Sequence, residues 1–178
     1  MSTQTITTIL NALLSIAFLV ISLRAFFLYM SARSTRLFIL GLAMGMIALT
    51  AAADTFSSSN ISPVQLNTDW FLFIGQAVSF LFFFLSLVLN ASNHLRMLMR
   101  WHILVSLFLL LLLILSPILP DFPQLLVRIA LSGSRCILCF VIFFYYVRVF
   151  TSKETRFAFL MMASFMLLAF GYLVLILT

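Results

Sequence analysis

The sequence predicts an all-α integral membrane protein, a bundle of six transmembrane helices arranged as three antiparallel hairpins. Three observations predict this class. The chain is 65% apolar and only 8% charged, whereas a soluble domain carries about 25% charged residues. Its mean hydropathy is +1.26, and its long apolar runs are separated by short polar segments. These features exclude an ordinary soluble domain, a disordered tail and a nucleic-acid-binding module, despite the net charge of +6.

The length of the apolar runs predicts helices rather than strands. A spanning helix needs about 20 mostly apolar residues, because the hydrocarbon is about 30 Å thick and each residue rises about 1.5 Å. A spanning strand is about half as long and alternates apolar with polar residues. Backbone amides must also pair within each run in lipid. We predict one domain over residues 1–178, with spans at 6–30, 37–54, 70–92, 101–118, 125–147 and 157–177.

Basic residues mark one side of the predicted bundle. They fill the first, third and fifth connections, and the second and fourth connections hold no Lys or Arg. Such an excess is typical of cytoplasmic loops, so both termini are predicted to lie on the outer side of a plasma membrane, that of a prokaryote. The N-terminus lacks the basic segment of a removable signal peptide. The bases are Arg33, Arg36, Arg96, Arg100, Arg148, Lys153 and Arg156.

Two of these basic connections resemble one another. Arg33-Ser-Thr-Arg36 matches Lys153-Glu-Thr-Arg156, each at the inner end of a predicted hairpin. Either the hairpins are internal repeats, or two cytoplasmic turns have acquired similar residues independently. Elsewhere, small residues line one face of the second span at Gly41, Gly45, Ala48 and Ala52. Such a strip permits close helix packing, within the chain or across a dimer.

Polar residues recur on one face of three predicted helices. Spacings of three, four and seven residues bring side chains over one another on a helix. We expect the first, third and fifth helices to point these faces at a common interior, while the other helices close the wall. Hydrogen bonding between helices is the alternative. The three sets are Asn11, Ser15 and Ser22; Gln76, Ser79, Ser86 and Asn90; and Arg128, Ser132, Arg135 and Cys139.

Arg135 is the residue that the membrane setting explains least. It lies near the middle of the predicted fifth span, where an arginine costs at least about 2.5–3.5 kcal/mol, and no acidic residue is predicted at that depth. Its planar guanidinium fits a carboxylate or phosphate bidentately. The sequence therefore predicts a site for a small or lipid-borne anion, and solvation by neutral side chains and water is the alternative. The predicted ligand-binding residues are Arg135, Arg128, Ser132, Gln76, Ser79, Asn11 and Ser15.

Signals for catalysis are weak. Cys136 and Cys139 form a C-x-x-C pair inside a span, where buried cysteine often behaves as a small hydrophobe. His94 is predicted in a loop and His102 at the surface end of the fourth helix. These two histidines provide too few ligands for a metal site. We therefore predict no catalytic residue, no metal, no cofactor and no enzyme activity.

These observations favour a non-catalytic multi-pass membrane protein that binds an anionic or amphipathic small molecule or lipid in its interior. It would act as a receptor or sensor module or as an accessory subunit. The alternatives are a small transporter or permease with the same cavity, and a membrane thiol oxidoreductase that uses Cys136 and Cys139. The expected partners are the lipid bilayer, the ligand, and a second copy or another subunit of a membrane complex. No nucleic acid is expected.

Overall fold

The computed structural model consists of α-helices in the parts of the chain that it describes. The backbone is described for residues 3–58, 68–89, 91–118 and 125–177. Side chains are described over the same ranges except at residues 3–11, 14, 58, 92, 125, 126, 128, 153, 157 and 175–177. These ranges contain no strand, so the all-α class is confirmed. The helices are α1 (Thr3–Ala32), α2 (Thr35–Ser58), α3 (Asp69–Val88), α4 (Ser92–Ile114), α5 (Leu125–Lys153) and α6 (Arg156–Leu177).

Five of these helices are long and apolar enough to cross a membrane. By length and composition they fit a multi-pass membrane protein. In α6 the described residues include an apolar stretch at Ala158–Val174. The sixth span stays a prediction, as do the hairpin arrangement and the side of the termini. The five long stretches are Ser15–Ala32, Thr35–Ser57, Asp69–Val88, Asn93–Ile114 and Ile129–Ser152.

The chain divides into two compact units. The first, Met1–Phe122, holds α1 to α4, and the second, Pro123–Thr178, holds α5 and α6. In the first unit α2 packs against α1, α3 and α4, and α3 packs against α4. In the second unit α5 packs against α6. The single six-helix domain stays a prediction.

Within the first unit α2 is the central helix. Half of its apolar stretch is buried, compared with 17% of that of α1. The sequence predicts instead that the second helix closes the wall around a polar interior. The difference arises because α2 contacts three other helices, whereas much of the apolar surface of α1, such as Leu23 and Phe27, is exposed.

The small residues of α2 bring α1 close to its backbone. Ser22 donates a hydrogen bond to the carbonyl oxygen of Gly41 at 2.7 Å. Ser15 donates one to the carbonyl oxygen of Ala48 at 2.9 Å. A Cβ atom at Gly45 would lie 2.9 Å from Ser22 Oγ, closer than such atoms normally approach. The predicted close packing is thus confirmed, and it occurs within the chain.

The fourth helix begins nine residues earlier than predicted. It starts at Ser92 rather than at residue 101. Leu95 and Leu98, one turn apart, are buried against Ile39 of α2, and this apolar contact is available only if residues 92–100 are helical. Arg96 and Arg100 therefore lie on the exposed face of α4 rather than in a loop.

Two connections of two residues each share one geometry. Arg33 (φ 49°) and Glu154 (φ 48°) both have left-handed backbone, and their amides donate to the carbonyl oxygens of Tyr29 and Phe150, each at 2.7 Å. Ser34 and Thr155 follow, and their carbonyl oxygens accept the first bonds of the next helix. Arg33 therefore corresponds to Glu154, one position away from the Arg33–Lys153 match in the sequence.

Gly45→Ala is expected to destabilise the first unit by about 1–3 kcal/mol, because the added methyl group overpacks the α1–α2 contact. Gly171→Ala is the matched control, since no atom lies within 4 Å of the Cβ position there. Thermal unfolding in detergent would measure both. Ser22→Ala removes the opposing hydroxyl, so Gly45→Ala should cost less in that background. Equal melting temperatures for Gly45→Ala and Gly171→Ala would contradict the close contact.

Replacing Arg33 or Glu154 with glycine is expected to stabilise the protein by about 1 kcal/mol, because glycine adopts the left-handed conformation without a steric penalty. The melting temperature of each variant should rise above that of the parent. Ser34→Gly is the control, since it changes the neighbouring helix-capping residue and should lower stability by a few tenths of a kcal/mol. A fall in both Arg33→Gly and Glu154→Gly would argue against backbone strain at these turns.

Candidate functional site

The predicted site residues fall in both units. Arg135 and Ser132 lie on α5 of the second unit, whereas Gln76 and Ser79 lie on α3 and Ser15 on α1 of the first. The side chains of Asn11 and Arg128 lie outside the described residues. Within the second unit, Arg135 and Ser132 are in direct contact. The common interior predicted for three polar faces stays a prediction.

Arg135 is buried and folds back along its own helix. Only 2% of its surface is exposed. Its Nη2 atom donates to Ser132 Oγ at 2.9 Å, and its Nε atom donates to the carbonyl oxygen of Leu131 at 3.3 Å. These positions are three and four residues back along α5, so helical spacing brings both acceptors to the guanidinium.

Tyr172 of α6 provides the third contact. The Cζ atom of Arg135 lies 4.9 Å from the centroid of the Tyr172 ring. A cation over a tyrosine face is attracted by the ring quadrupole, by about 2 kcal/mol or more where water is excluded. Sequence reasoning missed this partner. Residue 172 is 37 positions from Arg135, and only the packing of α5 against α6 brings the two together.

The three contacts just described are all neutral. A hydroxyl, a carbonyl oxygen and an aromatic face solvate the guanidinium but carry no counter-charge. Its Nη2 and Nε atoms serve Ser132 and Leu131, and the group stays protonated in proteins. In surroundings of low polarity a charge acts over a longer range than in water. A protonated guanidinium forms charge-assisted hydrogen bonds with anionic oxygens.

Arg135 is the eleventh residue of α5, about 15 Å along the helix axis from Leu125. The helix continues to Lys153, beyond the predicted end of the span at residue 147. The predicted place of Arg135 near the middle of the membrane stays a prediction.

The remaining predicted residues in the first unit are buried. Ser15 is held by its bond to Ala48, which is the interhelical hydrogen bonding that the sequence left as the alternative. Gln76 and Ser79 are 5% and 1% exposed. His102 is also buried at 1% and lies within α4, so the prediction that it lies at the start of the fourth helix is wrong. The helix begins ten residues earlier, at Ser92.

Both cysteines are buried in the second unit. Cys139 is 0% exposed and Cys136 is 6% exposed. Cys136 donates a weak hydrogen bond from Sγ to the carbonyl oxygen of Ala169 at 3.4 Å, so it joins α5 to α6. A redox thiol reacts as an accessible thiolate, whereas these positions favour a packing role. Within the described residues, no group of three or more His, Cys, Asp or Glu side chains could hold a metal ion.

The folded protein in mild detergent is expected to resist alkylation by N-ethylmaleimide at Cys136 and Cys139, because packing excludes the reagent. Both should react fully after denaturation, as mass spectrometry would record. Thr151→Cys in a background where both native cysteines are serine provides the control, since residue 151 is exposed near the end of α5. Rapid labelling of either native cysteine in the folded state would show an accessible thiol.

Comparison with known proteins assigns no family to this arrangement. No protein-family model, curated protein or solved structure matches the chain. Inference about function therefore starts from the chemistry of the buried Arg135, from its neutral contacts and from the apolar helices that hold them.

Proposed function

We propose that this protein is a non-catalytic multi-pass membrane protein that binds an anionic lipid. The second unit holds the headgroup of this lipid against Arg135. The protein acts as a receptor or sensor module or as an accessory subunit. The observation that carries the proposal is a guanidinium that is 2% exposed in an apolar helix and is contacted by Ser132, Leu131 and Tyr172.

Charge provides the first step of the argument. Burying a cation in an apolar span costs several kcal/mol, and the contacts with Ser132, Leu131 and Tyr172 are with neutral groups. A phosphate or carboxylate oxygen beside the guanidinium adds a charge-assisted hydrogen bond, which is about twice as strong as a neutral one. The bound anion therefore stabilises the folded protein, so the melting temperature rises with the concentration of the ligand.

Burial in an apolar helix favours a lipid over a soluble anion. Arg135 is 2% exposed and lies within the apolar stretch of α5. The headgroup of a lipid reaches it with the acyl chains still in the hydrocarbon, whereas a free anion would have to leave water completely. Exposed apolar side chains such as Ile137 and Phe144 on α5 suit contact with the acyl chains.

The arrangement in the membrane is part of the proposal. Three antiparallel hairpins place both termini outside and the basic connections in the cytoplasm, in a plasma membrane. Exposed arginines support this orientation, because they suit an aqueous and anionic surface. They lie at Arg33, Arg36, Arg96, Arg100, Arg148 and Arg156.

Arg135→Gln is expected to weaken the selective stabilisation by anionic lipid. The parent protein in nanodiscs of phosphatidylcholine should gain melting temperature when phosphatidylglycerol is added, and the affinity for phosphatidylglycerol should fall about tenfold in the variant, or about 1.4 kcal/mol. Arg148→Gln is the matched control, because Arg148 is exposed on the same helix and should retain the response.

Two further measurements test the identity of the ligand. Inorganic phosphate added to phosphatidylcholine nanodiscs should have little effect if the ligand is lipid-borne. Lipid extracted from the purified parent should contain more anionic phospholipid than lipid from Arg135→Gln. A more stable Arg135→Leu variant that retains the same bound lipid would refute the proposal.

A further inference from the structure

A second group of polar side chains lies in the first unit. It is distant from Arg135 in the sequence and contains serine and histidine rather than arginine. We call Ser79, His102 and Ser106 the α3–α4 polar cluster. They are 1%, 1% and 5% exposed. Ser79 Oγ, Ser106 Oγ and both ring nitrogens of His102 have no hydrogen-bond partner within the described part of the chain. Buried polar atoms are almost always paired, so these four atoms require a partner.

The contact between Phe82 and His102, together with helical spacing, relates the three residues. The rings of Phe82 on α3 and His102 on α4 stack with centroids 4.4 Å apart and planes 6° apart. Ser79 lies one turn before Phe82 and Ser106 one turn after His102, so each shares the face of its stacked neighbour. Ser79 and Ser106 also lie on the same side of the stacked rings, the side away from the short connection between α3 and α4.

The cluster lies between two apolar layers. On one side, Leu95 and Leu98 pack with Ile39, and Phe82 and Leu85 contact them. On the other side, Met46, Phe71 and Leu109 pack together, joined by Val78 and Val105. Val78 and Val105 are the sequence neighbours of Ser79 and Ser106. The polar atoms are therefore enclosed by hydrocarbon above and below.

Its position along the helices is close to the middle of the apolar stretches. His102 is the tenth residue of Asn93–Ile114 and Ser79 is the eleventh of Asp69–Val88. Among the described residues of the first unit, the acids are Asp54 and Asp69, near helix ends. Arg100, the charged residue nearest to His102 in the sequence, is exposed on another face of α4. Within that described part, a ligand of this cluster meets donors and acceptors rather than a counter-ion.

We propose that the α3–α4 polar cluster binds the oxygen-bearing head of an uncharged, membrane-soluble molecule. A hydroxyl or carbonyl oxygen accepts a hydrogen bond from the imidazole or a serine, and a ligand hydroxyl can also donate to them. The apolar layers accommodate its hydrocarbon part. This site takes a neutral ligand, in contrast with the anion proposed at Arg135, and it does not depend on that proposal.

If the proposal is correct, replacing the serines of the cluster weakens ligand binding without lowering the stability of the protein. Ser79→Ala and Ser106→Ala remove unpartnered buried hydroxyls, so neither variant should lower the melting temperature without ligand. Ser22→Ala, which loses the bond to Gly41, is the control that should lower it. A loss of stability in both variants as large as that in Ser22→Ala would show that the hydroxyls are structural and would overturn the proposal.

Binding can be followed at the imidazole itself. The chain has two histidines, so ¹⁵N-labelled histidine gives two ring systems, and exposed His94 on the same helix is an internal control. The probes are 1,2-dioctanoylglycerol, a glycerolipid with a free hydroxyl, and decylbenzoquinone, which carries carbonyl oxygens on its ring. Hexadecane, which has no oxygen, is the negative probe.

At least one oxygen-bearing probe should shift the His102 resonances saturably, with no change at His94 and no effect of hexadecane. The probe that acts identifies the source of the ligand. The Ser79→Ala, Ser106→Ala double variant should bind it at least about tenfold more weakly. No saturable shift with either probe, an unchanged affinity in the double variant, or a His102 signal that exchanges only with water overturns the proposal.

Discussion

Hydrocarbon offers no hydrogen bonds, and this constraint governs the structure at every level. Each polar group at membrane depth needs a partner from the protein or from another molecule. Backbone amides meet the requirement as helices. Several hydroxyls meet it by donating to a carbonyl oxygen of their own helix, three or four residues back. Thr50, Ser86, Ser134 and Ser164 all do so, at 2.7–2.8 Å.

The side chains that depart from this pattern are the informative ones. Arg135 combines contacts on its own helix with an aromatic ring from α6. Within the described part of the chain, Ser79, His102 and Ser106 are buried with polar atoms that have no hydrogen-bond partner. The cation and the neutral cluster lie in different units, so the two proposed ligands, one anionic and one uncharged, would bind to different parts of the chain.

Sequence reasoning predicted the helical class, the close contact along Gly41 and Gly45, and the burial of Arg135, because each follows from local composition and spacing. It missed Tyr172 and the burial of His102, because both depend on which helices pack together. The early start of α4 was hidden by Arg96 and Arg100, which resemble loop residues although Leu95 and Leu98 are buried. In the two similar turns, Arg33 and Glu154 have the equivalent backbone conformation, whereas the similarity of the residues pairs Arg33 with Lys153. Side-chain chemistry therefore does not reveal which backbone positions correspond.

The two serines of α1 have a mechanical consequence. Ser15 and Ser22 are seven residues apart, and so are their acceptors, Ala48 and Gly41. Seven residues are close to two full helical turns, so both bonds lie along one seam. A slide of α1 by a single residue, about 1.5 Å, breaks both together. The two bonds therefore fix the register of α1 against α2, and sliding of one helix along the other is opposed by both at once.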